Sequence, residues 1–123
     1  MPRPLLDETN LHPAIRDRVA HWHADIVHNV QAATRSHPVL VVGMAQNPFC
    51  RRARNTLRSA GIEHHYLEYG SYFSQWKPRL ALKLWSGWPT FPMVFVAGHL
   101  IGGALQLQDL VNSGEIKRLL QAQ

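Results

Sequence analysis

Apolar residues fall at Ile15, Val19, Trp22, Ile26 and Val30, in steps of three and four. That spacing predicts one long amphipathic helix from Pro13 to about Ser36. His37-Pro38 stops it, and Val39-Leu40-Val41-Val42 is a continuous apolar run, the mark of a strand buried on both faces. Asn47-Pro48 joins a preferred N-cap to a residue favoured at the first helical position. The helix it opens runs through Ala53 and Leu57 to Ala60, and Gly61 ends it. Ile62 to Tyr69 reads as a second strand, with His64 and His65 facing opposite sides. Gly70-Ser71 reads as the start of a third helix reaching about Leu84, with Pro78 a local disturbance. Pro92 to Val96 is a third strand, Ala97-Gly98 a tight turn, and His99 to Ile101 its short antiparallel partner. Gly102-Gly103 breaks the chain, and a last helical stretch, Leu105 to Leu120, is interrupted near Ser113-Gly114.

The order of elements is α-βαβα-ββα, an α/β arrangement. A parallel βαβ unit followed by a hairpin and a helix is the thioredoxin plan, one of several compatible with that order. With 123 residues, 46% of them hydrophobic, the chain suits one domain with a real core. The expected division is a flexible tail over 1–12 and a domain over 13–123. Within the domain, an N-terminal helix (13–36) precedes the core (38–121).

The single cysteine, Cys50, rules out an internal disulfide and a cysteine-based metal cage, and fits a reducing compartment. Met1 to Glu8 has no apolar stretch of the kind a secretory signal needs, and no apolar run approaches the roughly 20 residues that span a bilayer. The expected setting is cytoplasmic, with no membrane partner. His21 and His23 are two residues apart on the first helix and point to nearly opposite sides, a poor metal pair, and no metal site is expected. The formal charge is +5, and Arg51, Arg52, Arg54 and Arg58 form its densest cluster. Such a cluster suits a nucleic-acid patch, a field for small anions, or a solvated helix face. No nucleic-acid-binding motif accompanies it, so no nucleic-acid partner is expected.

Cys50 is the third residue of its helix, where unpaired amides, the helix dipole and three neighbouring arginines favour a thiolate. Cys50, Ala53, Leu57 and Ala60 also share the apolar side of that helix, which favours a small buried thiol. Both readings stand on the sequence.

Asn47-Pro48-Phe49-Cys50 after a buried strand resembles the glutaredoxin active-site motif, Cys-Pro-Tyr/Phe-Cys, with its first cysteine replaced by Asn47. Trp88-Pro89-Thr90-Phe91-Pro92, Val94-Phe95-Val96, Ile101-Gly102-Gly103 and Ser113-Gly114-Glu115-Ile116 match the family in order and spacing. The Trp-Pro-Thr-Phe-Pro form is closer to monothiol glutaredoxins than to dithiol ones. The resemblance covers about Pro38 to Leu120. It implies a glutaredoxin-type thioredoxin fold, a central four-stranded mixed sheet flanked by helices with an extra N-terminal helix.

The resemblance also implies a glutathione groove. Pro92 matches the family's cis-proline, and Phe91 before it would offer backbone hydrogen bonds to an extended peptide, with Thr90 in the same loop. Gly102 and Gly103 permit close backbone approach, although a plain turn explains them too. The helix start at Ala104 to Gln106, including Leu105, would present N–H groups to the γ-glutamyl carboxylate. Arg79 falls where monothiol relatives keep an arginine for the glycyl carboxylate, the alternative being a solvated helix residue.

The departures from the family concern its chemistry. The first cysteine is the nucleophile that forms the mixed disulfide with glutathione, and Asn47 has no redox chemistry. The family lysine three residues earlier is here Met44, and where the residues after the glycine pair usually include Asp or another polar group, this chain has Leu105 and Gln106. Cys50 holds the resolving position, where monothiol relatives carry Ser. The expected function is therefore a redox-homeostasis protein that keeps a glutathione groove but has impaired or absent thiol-disulfide oxidoreductase activity. One alternative is a one-cysteine, glutathione-dependent oxidoreductase acting through Cys50 on glutathionylated proteins. Another is a non-catalytic interaction module using the N-terminal helix and exposed tryptophans. An iron–sulfur cluster is not expected, because Asn47 cannot supply the thiolate ligand.

Overall fold

The structure is a computed structural model and describes residues 3–122. Its core is a four-stranded sheet ordered β2-β1-β3-β4. Strand β1 (Val39–Gly43) runs parallel to β2 (His65–Glu68) and antiparallel to β3 (Met93–Val96), and β3 pairs antiparallel with β4 (His99–Gly102). The expected mixed sheet of a thioredoxin fold is present. Period-two alternation along β1 divides the core between two faces. Val39 and Val41 pack with Leu57, Leu107 and Ile116 from helices α3 (Pro48–Ser59), α5 (Ala104–Asn112) and α6 (Glu115–Gln121). Leu40 and Val42 pack on the other face with Val30 and Leu82 from α2 (Ala24–Ser36) and α4 (Trp76–Ser86).

The expected single helix over Pro13–Ser36 is two. Helix α1 (Pro13–His21) ends at Trp22, and His23 stands in the left-handed region at φ 50° before α2 begins. The apolar period continues across the break, so hydrophobic spacing carries no sign of it. His21 and His28 are exposed and His23 is half-buried, all at the surface or its boundary. Of the tail over 1–12, the first two residues lie outside the described ones. From Arg3 onward it is exposed up to a half-buried Leu11 and holds a short 3-10 turn, Glu8–Asn10, capped by Asp7.

Two further boundaries differ from the sequence reading. Strand β2 occupies only His65–Glu68 of the expected Ile62–Tyr69. Helix α4 starts at Trp76 rather than Gly70, because a turn closed by Ser71 and Ser74 and a left-handed Gln75 intervene. Pro78 therefore stands in the first turn of α4, where its missing N–H would have no helical acceptor, and it disturbs nothing. The last stretch is interrupted as expected, with Ser113-Gly114 separating α5 from α6.

Sheet register decides where the loops meet. Val42 pairs with Met93, Gly43 with Glu68, and Val94 with Gly102. The carboxyl ends of β1, β2 and β4 and the beginning of β3 thus share one edge. The loops leaving that edge build the site, as is usual in open α/β sheets.

Candidate functional site

Helix α3 begins at this edge. Asn47 has extended backbone, and its Oδ1 accepts from the amides of Phe49 (2.9 Å) and Cys50 (3.1 Å). Pro48 at the first helical position needs no acceptor for an amide, so the start of α3 is closed by its own sequence. The two N–H groups that would stabilise an anion at this position are occupied by the Asn47 carboxamide. Phe49 is exposed beside it.

Cys50 points the other way, into the core, and is 2% exposed. It belongs to the cluster that includes Met44, Phe91 and Met93, and its sulfur faces Gly43 at the end of β1. Burial pushes the Cys50 thiol above its ordinary value, the nearby Glu68 carboxylate adds to that, and a hydrogen bond from the Met44 backbone opposes it. Of the two readings left open by the sequence, the geometry has the buried thiol. Room for it comes from Gly43, where a Cβ would lie 2.8 Å from Cys50 Sγ and 3.0 Å from the Tyr66 hydroxyl. Tyr66 donates to Glu68 at 2.9 Å and carries the Arg54 guanidinium over its ring at 4.1 Å. A small cavity of about 170 Å³ joins Asn47 and Cys50 to Tyr66, Glu68 and Arg54.

The Phe91-Pro92 peptide bond is cis, as the motif led one to expect. Pro92 and Phe91 are buried, whereas Thr90 is exposed at the rim. Among the described residues no backbone hydrogen bond ties Phe91 to the rest of the chain. Opposite this loop, Gly102 has φ +118°, a region that favours glycine, and a Cβ there would lie 2.8 Å from Gln106 Cγ. A Cβ at Gly103 would lie 3.4 Å from the Pro92 carbonyl oxygen and 3.5 Å from Trp88 Nε1. Helix α5 starts on Gly103, which has no side chain to cap it, and Gln106 Oε1 accepts the Gly103 amide at 3.0 Å. The residue at Leu105 is exposed and turned away from the core.

Asn47 to Cys50, Thr90 to Pro92, and Gly102 to Gln106 therefore lie at one edge of the sheet. Arg79 is neither solvated nor free. It is 7% exposed, and its Nη1 donates to the carbonyl oxygens of Tyr69 (2.9 Å) and Ser74 (2.6 Å), pinning the loop after β2. Three contributors escaped sequence reasoning as site residues. Trp88 Nε1 is buried beside Gly103 and has no hydrogen-bond partner among the described residues. Gly43 and Tyr66 form the wall against Cys50. A signal existed for two of these, Trp88 inside the Trp-Pro-Thr-Phe-Pro run and a glycine ending an apolar strand. No described helix is long and apolar enough to cross a membrane.

Known proteins share this family and fold. The glutaredoxin family model matches residues 39–101. A glutaredoxin-like protein of Dictyostelium discoideum is 40% identical over 102 residues, 83% of each chain. Monothiol glutaredoxin-S17 of Arabidopsis thaliana is 33% identical over 92 residues, 72% of this chain and 18% of that one. Among solved structures, a buckwheat glutaredoxin–glutathione complex has the same fold, with a TM-score of 0.71 at 21% identity over 83% of this chain and 93% of that one. With a family match over half its length and a relative this similar along most of both chains, the protein belongs to the glutaredoxin family.

Proposed function

We propose that this glutaredoxin-family protein binds glutathione in the groove between the Thr90–Pro92 loop and the start of α5, without the family's usual thiol-disulfide exchange. The observation that carries the reading is Asn47 at the N-cap of α3, with both available amides bonded to its own carboxamide. No sulfur stands where an attacking thiolate would use those amides, and the one thiol lies buried behind.

The groove itself keeps features suited to a peptide-like anion. Helix α5 begins on a glycine with no side-chain cap, so its first amides are open to a carboxylate. Phe91 has an unused backbone next to a cis-proline, suited to pairing with an extended γ-glutamyl peptide. Trp88 Nε1 is a donor in need of an acceptor at the same place. Glutathione is also the ligand of the buckwheat relative. Arg79, held by two carbonyls, shapes the loop beside the site, and a contact of its guanidinium with the glycyl carboxylate is part of the proposal. An iron–sulfur cluster is not part of it, because Asn47 offers no thiolate.

Calorimetric titration with reduced glutathione tests the groove. Saturable binding that Gly103→Trp abolishes, in a variant that still unfolds cooperatively, is the expected result. No binding to the wild-type chain would contradict it.

A further inference from the structure

We propose that the groove between α3 and α5 docks an extended, carboxylate-rich segment of a partner protein. The groove has a volume of about 540 Å³ and is lined by Arg51, Arg52, Asn55, Ser59, Gln108 and Asn112 among others, with no aspartate or glutamate along it. Helix α3 has no acidic residue anywhere in its length. The only ion pair among the described residues joins Arg118 to Glu115, so Arg51 and Arg52 stand exposed without a carboxylate partner.

The floor of the groove is built. Thr56 donates to Gln108 across the two helices at 3.0 Å, and Gln108 donates to Asn112 at 3.0 Å. Asn55, Ser59 and Asn112 offer side-chain amides and a hydroxyl to a passing backbone, while two guanidinium forks suit carboxylates in bidentate geometry. A nucleic acid fits less well, because no aromatic side chain lines the groove to stack a base. Pro48 lines one end, next to Asn47, so a docked segment leads up to the site described above. The positive charge of this groove is the same whether or not glutathione binds beyond Pro48.

The test uses the full chain and a fluorescein-labelled peptide of about ten alternating Glu and Ser residues, long enough to span the groove. Fluorescence anisotropy is expected to show binding that weakens as salt rises. Arg51→Gln with Arg52→Gln should weaken it about tenfold, as loss of two charge-assisted contacts implies. Arg18→Gln with Arg35→Gln removes the same charge elsewhere and should change it by less than about twofold. A Gln/Ser peptide should not bind, and amide shifts should move at Asn55, Ser59 and Asn112. No binding of the Glu/Ser peptide would overturn the proposal, as would equal losses in the two double variants. Tighter binding of a single-stranded oligonucleotide of equal charge, through the same two arginines, would reassign the groove and overturn it too.

Discussion

The side-chain oxygen of Asn47 lies 3.1 Å from the amide nitrogen of Cys50, so Asn47 spends its polarity on capping the helix that buries the only thiol. Asn47→Ala leaves the Phe49 and Cys50 amides without an acceptor and should lower stability by about 1 kcal/mol. Asn47→Asp or Asn47→Ser should retain most of it. Thermal unfolding of the three variants checks the order.

Gly43 and Cys50 are coupled by space. A Cβ at Gly43 meets Cys50 Sγ at 2.8 Å and the Tyr66 ring at 3.0 Å, so Gly43→Ala should cost about 1–3 kcal/mol. In a Cys50→Ala background the sulfur is gone and the cost should shrink, with the Tyr66 contact preventing full relief. A double-mutant cycle in urea measures the coupling.

Burial raises the Cys50 thiol, which gives stability a pH dependence of known sign. Below the ordinary thiol value, about 8.5, folded and unfolded chains are both protonated at Cys50. Above it the unfolded chain loses the proton first, so stability should fall as pH rises toward the higher folded value. Cys50→Ala should lack that fall. Iodoacetamide should label the native chain far more slowly than the urea-unfolded chain at the same pH.

Arg79 holds two carbonyl groups with one guanidinium nitrogen in a buried position. Arg79→Ala strands both acceptors and should cost about 2–4 kcal/mol. Arg79→Lys keeps a donor without the planar fork and should fall between. Urea unfolding midpoints check the series.

The parts of the fold legible in the sequence are those fixed by local chemistry. The Val39–Val42 run, the Asn47-Pro48 helix start, the Ala97-Gly98 turn and the break at Ser113-Gly114 each stand where their residues placed them. What escaped depends on contacts between distant segments. The apolar stripe passes through Trp22 and His23 without change, so the left-handed His23 leaves no mark in the period. The burial of Arg79 follows from the 69–74 loop folding back over α4, which no local pattern encodes. Cys50 shows the same limit at the site. Its place near a helix start argued for a thiolate, and the packing of Met44, Tyr66 and Phe91 around it decided for a buried thiol.

Glutathione-dependent disulfide reduction, measured side by side on the wild-type chain, Asn47→Cys and Cys50→Ser, decides whether the site lacks exchange chemistry for want of a thiol at position 47. Turnover should be negligible for the wild type and for Cys50→Ser, and measurable once Asn47→Cys places a thiol on the α3 amides. Wild-type turnover abolished by Cys50→Ser would contradict this expectation.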